Sequence, residues 1–135
     1  WNFYHCIVQF TEIHKLPNAV LLLKDIKTSL TDFFWSGRGD HNHKFEKIKH
    51  ILEFYPNLKY VLLGDDSQED PFLYEAICKI FPVNVIAVYI RKTGMKEKGK
   101  VSIALKNLES LNVSTCYFTH SGEAIQHSKK IGLIL

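Results

Sequence analysis

Four carboxylates fall within six positions in the stretch GDDSQEDP, Gly64 to Pro71: Asp65, Asp66, Glu69 and Asp70. Oxygen donors at this density suit three tasks: hydrogen-bonding a solvated turn, capping a helix, or holding a hard cation. Mg2+ takes one or two protein carboxylates and completes its shell with water and substrate phosphate, so Asp65 and Asp70 form a candidate metal pair. Asp is equally a good N-cap, and Pro is favoured in a first helical turn, so Asp70–Pro71 also reads as a helix start. A second candidate is Lys44, which opens a predicted helix where the macrodipole favours acids. A cation there can serve phosphate or steady a nucleophilic carboxylate; it can also be plain solvated surface.

Other motifs carry less. DHNH, Asp40 to His43, concentrates His and Asp, but adjacent ligands lack the spacing of a zinc site, and the stretch reads as polar loop. No G-x-S-x-G, P-loop or G-x-G-x-x-G occurs, so serine hydrolase, P-loop NTPase and dinucleotide-binding readings find no motif support. Cys6, Cys78 and Cys116 are odd in number and lack a C-x-x-C pair; each falls in an apolar pattern and reads as a buried thiol in a reducing compartment.

The elements that must position these groups follow from periodicity. Residues 2–15 repeat Phe3, Cys6, Ile7, Phe10 and Ile13 at helical spacing until Pro17. AVLLLKD, Ala19 to Asp25, is an apolar run suited to a strand buried on both faces. The Gly-, Ser- and Asn-containing stretch from Ile26 to His43 follows neither period and reads as a long loop, a common carrier of function. From Lys44 an amphipathic helix places Phe45, Ile48, Ile51, Leu52 and Tyr55 on one face up to Pro56.

KYVLLG reads as a buried strand, and a helix from Asp70 carries Leu73, Ala76, Ile77 and Ile80 inward. VNVIAVYIR is the strongest strand signal, nearly all β-branched or aromatic. GKVSIALKNLESLN repeats Val101, Leu105, Leu108 and Leu111, and Asn112 suits a left-handed position past its end. STCYFT is a short strand, and Ser121 can cap a last helix that ends before Gly132. Apolar strands alternating with amphipathic helices predict one α/β domain over residues 1–135, a doubly wound, mainly parallel sheet with helices on both faces. Ligands in such folds bind beyond the carboxyl ends of the strands, where GDDSQEDP lies.

Composition excludes several classes. The chain has 135 residues, 46% hydrophobic and 23% charged, the profile of a packed protein. Its 17 basic and 14 acidic residues give +3 with no basic arm or stripe, so no nucleic-acid partner is expected. Its apolar runs fall far short of the roughly 20 residues of a membrane helix.

The segment HKFEKIKHILEFYPNLKYVLLGDDSQEDPFLYEAICKIFPVNVIAVYIR, His43 to Arg91, resembles the phosphatidate phosphatase catalytic domain of the actin-patch-associated type, a branch of the haloacid-dehalogenase-like phosphatases. The motifs that carry the resemblance are His43–Lys44 opening a helix, Gly64–Asp65 ending a strand, Gln68-Glu69-Asp70-Pro71, Tyr74, and Ile90–Arg91 ending the next strand. The resemblance implies a Rossmann-type fold and Mg2+-dependent hydrolysis of a phosphomonoester, phosphatidate or a relative, through an aspartyl-phosphate. It implies Lys44 as the lysine that stabilises nucleophile and phosphoryl group, and Asp65 and Asp70 as holders of the Mg2+ shell. A cytoplasmic protein with possible peripheral membrane contact goes with it.

Two departures stand out. Asp66–Ser67 replaces the usual Ser-Gly after Gly-Asp, which crowds a third carboxylate into the turn. The D-x-D-x-T nucleophile motif is absent from the 135 residues. The chain starts at Trp1, as if cut just after the family's phosphate-binding Ser and its Pro-Trp. The expectation is therefore the C-terminal part of a phosphatase domain, lacking the first two strands and inactive alone. The rival is a non-catalytic module of the same fold that binds a cation or an anionic ligand. A receiver-like domain is disfavoured, because Lys44 precedes the acidic turn here and follows it there.

Overall fold

A computed structural model of the chain describes residues 4–17, 41–67, 69–94 and 99–135, in two units divided after Gly39. The first unit contributes helix α1, Tyr4–Ile13. It closes in a Schellman motif: Lys15 takes φ 50°, its N–H donates to Glu12 O at 3.1 Å, and Leu16 N donates to Thr11 O at 2.9 Å. The helix is as predicted, but Cys6, expected to be a buried thiol, is exposed, and α1 has no buried residue. Helical spacing decides which side chains share a face; it does not decide whether another element covers that face. The strand expected over Ala19–Asp25 and the loop over 26–40 lie outside the described residues.

The second unit runs α2 (His41–Phe54), β1 (Tyr60–Asp65), α3 (Asp70–Ile80), β2 (Val85–Arg91), α4 (Gly99–Ser110), β3 (Ser114–Phe118) and α5 (Ser121–Lys130). Helix α2 starts three residues earlier than the sequence suggests, so His41–His43 form its first turn in place of a loop. No Gly or Pro interrupts that turn, and Lys44 consequently sits inside the helix. Ends are well specified elsewhere. Asn112 is left-handed as expected, φ 60°, with Asn112 N to Glu109 O at 3.0 Å and Val113 N to Leu108 O at 3.2 Å. Gly132, φ 73°, ends α5 in the same way. The cap of α5 is His120, not Ser121, and its N–H is taken by Glu123 Oε1 at 3.0 Å.

The three strands are parallel in the order β1-β2-β3. Asp65 pairs with Arg91 and Arg91 with Phe118, so the three carboxyl ends are level and the residues that follow them share one rim. Helices α3 and α4 cover one face, where Leu62, Val88 and Ile90 meet Leu73, Ile77, Leu105 and Leu108. Helix α5 covers the other, where Tyr89 reaches Ser128 at 2.7 Å. The unit is thus α/β with a parallel sheet and helices on both faces, a doubly wound, Rossmann-like arrangement. Each fully buried aliphatic side chain contributes about 1.5–3 kcal/mol of transfer free energy, so this core is what holds the rim together.

The inward faces are narrower than expected. Leu52, Leu73, Ile77, Val101, Leu105 and Leu108 are buried, but Ile51, Tyr55 and Ile80 are exposed. Ile51 lies in the last turn of α2, Tyr55 just past its end, and Ile80 is the last residue of α3. Cys78 is buried as predicted, and burial pushes its thiol up to about 12.

Candidate functional site

Residue types at the end of β1 create the site. Gly64 precedes Asp65, and a Cβ at Gly64 would sit 2.9 Å from both Cβ and Cγ of Asp70. Only a residue without a side chain lets the first residue of α3 lie against the end of β1. The close approach brings Asp70 Oδ2 to the backbone N–H of Asp65 at 3.4 Å. The other oxygen, Oδ1, accepts from Lys44 Nζ at 2.6 Å. Lys44 comes from α2, so this ion pair joins two helices across the strand end.

The structure therefore brings the three predicted residues together, with one change of role. Asp70 is not the N-cap: Glu69 holds that position without a side-chain cap bond, and Asp70 is the first residue of α3. Its carboxylate, 9% exposed, is spent on Lys44 and Asp65 instead of on its own helix. Charge-assisted bonds of this length are the strong kind, and partial burial keeps water from screening them.

Asp65 is half-buried and differently committed. Its Oδ1 accepts from Ser67 N at 2.8 Å and from Ser67 Oγ at 2.5 Å. These two bonds, with a smaller contribution from Lys44, hold its carboxyl below the usual carboxylate range, against desolvation and the neighbouring Asp66. The turn reading of Asp65 is thus met by one oxygen.

Tyr74, one turn along α3, closes the floor. It is buried, its hydroxyl donates to Leu63 O at 2.6 Å, and Lys44 Nζ lies 5.4 Å from its ring centroid. Burial first, then the charges of Asp70 and Asp65, drive its phenol far above its ordinary value, so it stays a neutral donor.

Asp66, the extra carboxylate, turns away from this group. It is 2% exposed. Oδ1 accepts from Thr93 N at 2.9 Å and from Thr93 Oγ1; Oδ2 accepts from Tyr117 OH at 2.7 Å. Its own N–H donates to Arg91 O at 3.1 Å. Sequence reading missed Thr93 and Tyr117. The available signal was positional, since both lie at the carboxyl ends of strands next in order to β1.

Among the described residues, no group of three or more His, Cys, Asp or Glu is placed to hold a metal ion. The residues that could hold a hard cation at this strand end are Asp65 and Asp70, of which Asp65 is the more accessible. Two carboxylates suit a cation that keeps water and phosphate oxygens in its shell. His43 is exposed at the first turn of α2.

Comparison with known proteins identifies a family. Residues 1–92 match the family model described as phosphatidate phosphatase APP1, catalytic domain. Phosphatidate phosphatase APP1 of Saccharomyces cerevisiae (strain ATCC 204508 / S288c) is 36% identical over 50 residues, which cover 37% of this chain and 8% of the yeast protein. No solved structure matches the chain. With more than half of its length matched by the family model, the chain belongs to the phosphatidate phosphatase APP1 catalytic-domain family.

Proposed function

We propose that this chain supplies the lysine and the metal-holding carboxylates of a Mg2+-dependent phosphatase of haloacid-dehalogenase-like type, acting on phosphatidate or a related phosphomonoester. The observation that carries the reading is the 2.6 Å Lys44–Asp70 ion pair set against the backbone of Asp65, at the carboxyl end of a parallel strand. Family membership supports the substrate class.

In this reading Asp65 presents a charged oxygen to the cation, and Ser67 holds it in that form. Asp70 fixes the position of Lys44 and shares the cation shell. Lys44 offers a charge that strengthens as negative charge gathers on the phosphoryl oxygens, which is the form of stabilisation that accelerates the step. Mg2+, when bound, supplies charge neutralisation and alignment of the phosphate. The attacking carboxylate belongs to a D-x-D-x-T motif, which the 135 residues do not contain; their share of the work is charge and position. A lipid substrate goes with peripheral contact at a cytoplasmic membrane surface; no described helix is long and apolar enough to cross one.

Phosphatidate hydrolysis by the full-length protein tests the reading. Asp65→Asn should abolish Mg2+-dependent turnover while the variant stays folded; unchanged turnover sinks the metal role. The rival reading is a ligand-binding module without turnover, which absence of a D-x-D-x-T from the full-length protein would favour. That reading predicts Mg2+ or phosphate binding by the full-length protein with no release of inorganic phosphate.

A further inference from the structure

The buried carboxylate of Asp66 has work that the proposed chemistry does not use. Burying a carboxylate is costly unless its lone pairs are met, and here they are met from two other strand ends. Thr93 follows β2 and gives both its N–H and its hydroxyl; Tyr117 lies in β3 and gives its phenol. Neighbouring strands are about 4.8 Å apart. The side chain of Asp66 and that of Tyr117 therefore span the rim from β1 to β3, over β2.

Asp65 and Asp66 are consecutive, so their side chains leave opposite sides of the backbone. The bonds that anchor Asp66 fix the peptide from which Asp65 projects. On the other side the Asp65 carboxylate accepts from Ser67, an exposed residue, and the Asp65 N–H donates to Asp70 Oδ2 at 3.4 Å. Of the anchors on this turn, the buried Asp66 is the one that reaches the ends of both other strands.

We propose that Asp66, with Thr93 and Tyr117, is the positioning residue for Asp65: it locks the turn after β1 to the ends of β2 and β3, so that the Asp65 carboxylate is held where a divalent cation meets it. The inference rests on the reading of Asp65 as a cation ligand. Partners that orient a metal ligand typically control affinity by about 10- to 100-fold.

The test is calorimetric titration of the full-length protein with Mg2+, together with its unfolding midpoint. Tyr117→Phe removes one donor to Asp66 and leaves the ring in place. It should weaken Mg2+ binding about 10-fold. Thr93→Val should do the same by deleting the hydroxyl, and Thr93→Ser, which keeps it, should restore affinity. These mild variants carry the test should Asp66→Asn fail to fold. A lowered midpoint with Mg2+ affinity unchanged in both Tyr117→Phe and Thr93→Val would overturn the inference and leave the network purely architectural. Asp65→Asn run alongside separates the two readings. Loss of Mg2+ binding there with none in Tyr117→Phe defeats the positioning role alone; unchanged binding in Asp65→Asn defeats the ligand role on which it rests.

Discussion

Both ends of the sheet are tied by side chains that bridge neighbouring strands, and the two ends use opposite chemistry. At the amino ends, Asn84 Nδ2 donates to Pro56 O at 2.6 Å and to Leu58 O at 3.2 Å, and Lys59 Nζ donates to Val83 O. Donors there meet backbone carbonyls in exposed loops, and no carboxylate takes part in these ties. At the carboxyl ends, Asp65, Asp66 and Asp70 accept, and Lys44, Ser67, Thr93 and Tyr117 donate. The first end spends uncharged or solvated groups to stop strands from fraying. The second gathers three carboxylates within six residues, which repel each other and cost stability unless something else is served. Fold alone needs only the first kind of tie.

That difference makes the ends separable by mutation. The largest effect is expected for Lys44→Met in the full-length protein, if it turns over phosphatidate as proposed. Turnover should fall on the order of 100-fold or more, the scale of losing one preorganised charge at a reacting centre. Stability should fall by only about 1 kcal/mol, because Lys44 is 44% exposed and Asp70 keeps the Asp65 N–H. Steady-state kinetics beside chemical denaturation check the split; equal losses would make Lys44 another architectural tie.

Gly64→Ala comes next. Its new Cβ would stand 2.9 Å from Asp70 Cβ, so the start of α3 must move, at a cost of about 1–3 kcal/mol. Lys44 and Asp65 would lose their shared partner in the same event. Unfolding by urea reads the cost, and an unchanged midpoint would mean that α3 yields freely. At the opposite end Asn84→Ala should cost about 1–2 kcal/mol for two lost hydrogen bonds, with Mg2+ affinity untouched. A changed affinity would show that the two ends are coupled through the sheet.

The contrast also explains what the sequence could convey. Strands β1, β2 and β3 and helices α3 and α4 were legible because each carries an apolar pattern of its own period, and α5 through its polar start and Gly132, as Asn112 marks the end of α4. The start of α2 was not, since His41–His43 follow no pattern and only the continuing helix orders them. Lys44, Asp65 and Asp70 were legible as a set through motif and position. Their bonds were not: which oxygen Asp70 gives to Lys44 depends on how closely α3 approaches Gly64, a tertiary distance. Asp66 shows the limit. By sequence it is one more acid in a crowded turn, and only the fold shows that it is buried among donors from β3 and the segment after β2, up to 51 positions away.

The smallest expected effect concerns the bond that sets Asp65 itself. Ser67 hydroxyl and N–H both favour the charged carboxylate and hold it below its ordinary range. A group depressed on folding contributes stability that is fully present above its unfolded value. As pH falls through the folded value, the carboxyl is protonated in both states and the contribution is lost. Ser67→Ala keeps the N–H and deletes the hydroxyl. The Asp65 titration, followed by carbon-13 NMR of its carboxyl, should move up toward the ordinary range. The acid-side window of extra stability should narrow, and stability at neutral pH should fall by about a few tenths of a kcal/mol, since the pair faces solvent. Asn84→Ala, at the uncharged end, should leave the Asp65 titration where it is. A shift in Asn84→Ala as large as that in Ser67→Ala would place the control of Asp65 in the sheet as a whole and not in its turn.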